Sequence, residues 1–236
     1  MQRLEDLKRF YDLLSKLEQQ SGRTKLLKDC HGKMPWADRG VYFFFEEGEQ
    51  RIHSGEGLRV VRVGTHAVSS GSKTILWNRL SQHKGVVKTG GGNHRGSVFR
   101  KLVGYSLLAR GKYPLCPHWG IGSSSTPEIK KSEQLVEEAV SGEIGKMPFL
   151  VLTVLDVSSK DSLRAYIEKN SIALLSNYNK ALEQLDPASA EWLGWNSGYE
   201  KVCRSGLWNN AHVDSRYDPE FLHKFELLLH QTASTI

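Results

Sequence analysis

The chain has 236 residues, 39% of them hydrophobic, enough to bury one elaborated core or a smaller core with extensions. Its cysteines (Cys30, Cys116, Cys203) form no CxxC pair, which argues against a zinc ribbon or disulfide framework and suits a reducing, cytoplasmic setting. No apolar run is long enough to span a bilayer and Met1–Asp6 lacks the apolar stretch of a secretion signal, so a soluble protein carrying a net charge of +6 is expected.

That charge is regional. Between Gly57 and Pro127 stand eleven Lys/Arg, four His and no acid, which leaves 21 of the 32 Lys/Arg against all 26 acids elsewhere. Such a one-sign stretch points to a polyanion, because each neutralised phosphate releases counterions. The plainer reading is a solvated basic face.

In chain order, Leu4, Leu7, Tyr11, Leu14 and Leu17 recur at helical spacing, predicting an amphipathic helix over 2–20 that ends near Gly22. It serves either core packing or a homodimer contact. Val41–Phe45 and Leu58–Val63 read as strands of an antiparallel hairpin, joined by an acidic, Gly-containing connection over Glu46–Gly57. A helix over 74–84 precedes the Gly-rich loop Thr89–Gly96, and Ser97 is placed to cap a helix containing Phe99, Leu102, Val103 and Leu107. Residues 111–127 read as loop, Glu128–Val140 as helix, Phe149–Leu155 as a central third strand and 161–176 as helix. A tail with Trp192, Trp195 and Trp208 leads to a last amphipathic helix near 219–231. The fold class is therefore α/β (α+β): a small antiparallel three-stranded sheet flanked by helices, divided into an N-terminal helical extension (1–35), a core (36–182) and a C-terminal extension (183–236).

Several polar residues sit where apolar ones belong. Leu76, Arg79, Leu80 and His83 share one helix face, so Arg79 and His83 either end the stripe at its rim or enter a polar groove. Glu168 shares a face with Ala165, Ile172 and Leu175. A carboxylate there requires a partner, either an arginine or a cation such as Mg²⁺, which takes few protein ligands. Tyr42 in mid-strand reads first as a packing residue. The loop before Ser97 either connects or offers backbone N–H groups to a phosphate with His94 and Arg95, and Arg100 and Lys101 extend this nucleic-acid-binding surface.

In order, these residues resemble the GIY-YIG nuclease family. Gly40-Val41-Tyr42 is similar to the first half of its signature, and Arg62-Val63-Gly64 stands where the Tyr-x-Gly half belongs. Leu76–His83 is similar to the helix carrying the family's Arg and His, and Ile167–Leu175 to its Glu-x-Asn-x-Ile helix. Asn179, in Asn177-Tyr178-Asn179, is the nearer match to the family's later Asn, with Asn177 its rival. The chain departs from the pattern in carrying Arg62 for the second signature tyrosine, in the nineteen residues between Tyr42 and Arg62, and in a large insertion between His83 and Glu168.

The resemblance implies a divalent-metal-dependent endonuclease acting on DNA, with restriction-enzyme-like members as its nearest analogues and homodimerisation open. Tyr42 would orient or deprotonate the attacking water, helped by the charge of Arg62. Arg79 would contact the scissile phosphate, and His83 would assist proton transfer or bond the phosphate. Glu168 would hold Mg²⁺ or another divalent cation, and Asn179 would complete the set. Three alternatives stand beside this: a GIY-YIG-like binder with little catalysis, a cluster of Asn209, His212 and Asp214, and a Trp-rich tail that docks a protein.

Overall fold

The computed structural model describes residues 2–22, 24–180 and 182–233. The expected hairpin lies within a sheet of order β1-β4-β2-β3, in which β2 (Gly40–Gln50) pairs antiparallel with β3 (Leu58–Gly64) and with β4 (Pro148–Thr153). The sheet has four strands instead of three. The additional one, β1 (Lys25–Leu26), pairs with β4 and is two residues long, too short to show any hydrophobic period.

Register sets up everything that follows. Tyr42 faces Gly64 and Phe44 faces Arg62, while Phe45 faces Val60, so Val61 forms a bulge. Tyr42, Phe44 and Val61 enter one core with α2 (Leu76–Lys84), α3 (Val98–Ala109) and α4 (Pro127–Lys146). Val41 and Phe43 enter the other with α1 (Gln2–Ser21), α5 (Leu163–Leu175) and α7 (Glu220–Ala233). Because both faces are covered, Val41–Phe45 is a continuous apolar run without alternation. The stripe of α1 is covered from within this chain, Phe10 stacking on Phe225 at 6.0 Å and meeting Phe43 at 5.8 Å.

The helix starts follow their capping residues. Ser97 Oγ accepts from Arg100 N–H at 3.2 Å to open α3, and Thr126 and Ser162 open α4 and α5 in the same way. A six-residue helix, α6 (Glu200–Ser205), lies in the tail, where no period announces it.

The acidic connection is a clasp. Glu46 Oε2 accepts from the indoles of Trp192 and Trp208 at 3.2 and 3.1 Å. Glu49 pairs with Arg59 at 2.5 Å, and the Asp186 carboxylate accepts from the backbone of Ile52, His53 and Ser54. The tail is thereby fastened to the β2–β3 connection by buried acceptors.

Much of the basic stretch is also internal. Arg95 forks onto Glu133 at 2.7 and 2.9 Å, and Arg100, fully buried, holds Glu137 at 2.5 Å and donates to the His83 carbonyl at 2.9 Å. His94 is buried against the same Glu137 (2.8 Å) and stacks on Trp119. Removing one partner of such a pair leaves an uncompensated buried charge. Glu137→Ala is therefore expected to lower unfolding free energy by about 3–5 kcal/mol in urea titration, and Arg100→Met combined with Glu137→Leu should recover a large part of it. A loss under about 1 kcal/mol would mean that water reaches and screens this pair.

Candidate functional site

Tyr42 lies across Gly64. A Cβ at position 64 would collide with the phenol ring and oxygen, so glycine is required here for space and not for a special backbone angle. The phenol oxygen reaches His83 Nε2 at 2.8 Å, and His83 Nδ1 reaches Ser97 Oγ at 2.8 Å. Tyr42, His83 and Ser97, from β2, α2 and the cap of α3, thus form one buried chain. Phe44 and Phe99 close edge-on around the imidazole at 6.4 and 5.6 Å. Burial, then the charges of Arg79, Arg62 and Arg100, push the His83 pKa well below its ordinary value, so the ring is neutral.

Arg62, opposite Phe44, shares the Tyr42 face and is only 7% exposed. Its Nη1 donates to the Trp208 carbonyl, its guanidinium lies 5.4 Å from the Phe99 ring centroid, and Nε has no partner. Burial works against its charge, whereas Tyr42 and Glu168 favour it. A guanidinium stays protonated under such pressure.

Glu168 arrives on α5 and is half-buried. Its Oε1 accepts from Thr65 N–H at 3.1 Å, and the Thr65 hydroxyl donates to the Gly40 carbonyl at 2.8 Å. The carboxylate is thereby pinned to the residue that follows Gly64. Burial raises its pKa, opposed by Arg62, the Thr65 N–H and Arg79. Among the described residues Glu168 forms no ion pair, and Oε1 alone accepts a hydrogen bond. Arg79, half-buried, donates through Nη1 to the Gly96 carbonyl and Gln82 Oε1, both at 3.0 Å. No three His, Cys, Asp or Glu side chains converge among the described residues. One desolvated carboxylate with an open oxygen fits a cation that keeps most of its water, such as Mg²⁺.

The remaining candidates lie elsewhere. Asn179 is exposed, holds a left-handed backbone (φ 56°) and accepts from Arg204 at 3.2 Å. Asn177 is buried, accepting from Arg3 at 3.1 Å and Leu185 N–H at 3.0 Å. Asp214 pairs with Lys201 at the surface (2.7 Å) and His212 occupies a turn with φ 64°, so neither joins Asn209. Asn209 instead clamps β3, donating to the Val63 carbonyl at 2.9 Å and accepting its N–H at 3.1 Å, between Arg62 and Gly64. Of the basic candidates, His94 and Arg100 are enclosed, Arg95 is committed to Glu133, and Lys101 is half-buried. Lys73, Lys88, Arg110 and Lys112 are exposed. A cleft of about 440 Å³ opens beside Trp36 and Phe149 at the β1–β4 side and contains none of the Tyr42 cluster. Thr65 and the second bond of Ser97 are not legible as site features; Ser97 carries a prior signal only as a helix cap, and Asn209 only as a member of the Asn209, His212 and Asp214 cluster that does not form.

His66 is buried too, with Nε2 bonded to the Asp38 carbonyl at 3.1 Å, and burial with Arg164, Arg39 and Arg79 nearby pushes its pKa down to about 4. In the unfolded chain both imidazoles protonate near 6.5; folded, His66 does so near 4 and His83 well below its ordinary value. The unfolded state then binds more protons below pH 6.5, so stability is complete above that pH and falls on acidification towards pH 4, by up to about 1.4 kcal/mol per pH unit for each histidine. Urea unfolding between pH 7 and 4.5 should show this slope, reduced by about half in His83→Asn. An unchanged slope would mean that His83 protonates in the fold.

A family model described as GIY-YIG domain matches residues 1–235. No curated protein and no solved structure matches the chain significantly. The match spans the hairpin, α2 and α5, the elements that assemble Tyr42, Arg62, Arg79, His83 and Glu168, and it points to a nuclease-type function. The chain belongs to the GIY-YIG domain family.

Proposed function

We propose that the protein is a divalent-metal-dependent endonuclease hydrolysing DNA phosphodiester bonds, with Tyr42, Arg62, Arg79, His83 and Glu168 as its working residues. One observation carries this reading: a buried phenol is bonded to a neutral imidazole beside two arginines and a carboxylate that, among the described residues, form no ion pair. Structural networks satisfy their charges in pairs, as Arg100 and Glu137 do here. Functional sites retain perturbed groups.

In the reaction, the oxygen of a water forms a bond to phosphorus, the bond to the leaving nucleoside oxygen breaks, and that oxygen takes a proton from solvent. Tyr42 Oη takes the proton of the attacking water, with the charge of Arg62 beside it. Both nitrogens of His83 are engaged, which supports a role through Tyr42 and not on the phosphate. Arg79 keeps guanidinium nitrogens free for the phosphate oxygens while Nη1 anchors it to Gly96 and Gln82. Glu168 would hold Mg²⁺, which supplies charge neutralisation at the phosphoryl group. Asn179 takes no part in this reading.

A second reading, a GIY-YIG domain that binds nucleic acid with little catalysis, is favoured by Arg62 replacing the signature tyrosine. Plasmid cleavage separates the two. Mg²⁺-dependent nicking or linearisation is expected, reduced at least about 100-fold in both Glu168→Ala and Arg79→Ala with DNA binding retained. Salt-sensitive binding without cleavage would instead support the second reading. Arg62→Tyr is expected to slow cleavage, because it removes the cation beside the Tyr42 oxygen. Faster cleavage in this variant would show that the natural residue weakens the site.

A further inference from the structure

We infer that Ser97 fixes His83 as the tautomer protonated on Nε2, so that the imidazole donates to Tyr42 Oη and the reacting oxygen meets only donors from its protein neighbours. Ser97 is then a positioning residue for the base, acting through His83. The purpose of this arrangement rests on the nuclease reading; its test does not.

The argument is a count of protons along the buried chain. Ser97 is 1% exposed and its oxygen already accepts Arg100 N–H at 3.2 Å, the bond that caps α3. Its hydroxyl proton has one acceptor in reach, His83 Nδ1 at 2.8 Å. If Ser97 donates there, Nδ1 carries the lone pair and Nε2 the hydrogen, and the 2.8 Å bond to Tyr42 runs from His83 to the phenol oxygen. In the opposite tautomer Nδ1–H donates to Ser97, whose own proton is then sealed in the core without a partner. Burying an unpaired hydroxyl proton is unfavourable. Tyr42 is as deeply buried as Ser97, so each arrangement leaves one enclosed hydroxyl proton unpaired; the first places it on Tyr42 Oη, the oxygen that gives up its proton in the nuclease reading, and leaves Ser97 and both imidazole nitrogens fully paired.

The surroundings agree. The charged groups near this chain are Arg62 from β3, Arg79 from α2, Arg100 from α3 with its partner Glu137 from α4, and Glu168 from α5. Three cations acting on His83 make it a poor base for the Tyr42 proton but do not hinder it as a donor. With the imidazole donating and the Arg62 cation alongside, Tyr42 Oη is met by a donor and by positive charge.

The test is long-range proton–nitrogen NMR on the full chain labelled with ¹⁵N-histidine, His83 being assigned by its absence in His83→Gln. At pH 7 a pyrrole-like Nε2 and a pyridine-like Nδ1 are expected; the reverse pattern would overturn the inference. Ser97→Asp keeps an acceptor for the α3 cap and removes the donor, so Nδ1 should become the protonated nitrogen. Where that variant does not fold, Ser97→Gly, a tolerated cap, should give a mixture of tautomers. An unchanged Nε2–H form in either would show that Ser97 does not set it. Ser97→Thr should preserve the wild-type spectrum. In cleavage, Ser97→Gly should lower the rate and Ser97→Thr should not. An Nε2–H imidazole in a protein that cuts no DNA would leave the tautomer standing and defeat the nuclease reading. Cleavage by an Nδ1–H protein would do the reverse.

Discussion

The contact of the Tyr42 phenol with the bare backbone of Gly64 fixes the rest of the site. The two residues are register partners, and any side chain at position 64 would occupy the space of the ring. Strand periodicity makes this register a two-way choice, because a slip of one residue would turn Tyr42 towards the α1–α7 face. The bulge at Val61 and the Asn209 clamp on Val63 hold β3 where it must be. Position by position, β3 then supplies a cation at Arg62, a space at Gly64 and, just beyond the strand, the N–H of Thr65 for Glu168.

A second constraint is electrostatic. Arg100 reaches into the interior beside His83, and its charge is borne by Glu137. Among the described residues Arg62 and Arg79 have no such partner, and the Glu168 carboxylate is held by a backbone N–H instead of by either arginine. The protein thus separates two classes of buried charge within one face of the sheet: those neutralised to keep α2, α3 and α4 together, and those left unpaired around Tyr42. Low local dielectric strengthens the interactions of both.

Legibility in the sequence followed this division. The β2–β3 hairpin, β4 and the long helices were readable because apolar periodicity and capping residues such as Ser97 and Ser162 act locally. Arg79, His83 and Glu168 could be singled out because each broke an apolar stripe. The two-residue β1 and six-residue α6 carry no period and could not be seen. The acid-free stretch suggested a basic surface, yet Arg59, Arg95 and Arg100 find Glu49, Glu133 and Glu137 from outside it. Charge sign along a chain does not say which side chains meet across it. For the same reason the partners of Arg62, the Trp208 carbonyl 146 residues on and the Phe99 ring on α3, left no local trace.

Those partners bear on why an arginine can stand at that position at all. A buried guanidinium is costly unless its donors and its flat face are satisfied. Here the tail supplies the Trp208 carbonyl, α3 supplies the Phe99 ring, and Nε has no partner among the described residues. Trp208 is in turn held by Glu46 on β2, and the next residue, Asn209, is bonded to β3. The tail is therefore built into the hairpin on both sides of the residue that departs from the family signature. A tyrosine at position 62 would need neither the carbonyl nor the ring in this arrangement, whereas an arginine needs both. The Trp-rich extension and the signature departure are two parts of one structural solution: a permanent cation beside the phenol, made tolerable by chain that arrives from the far end of the sequence.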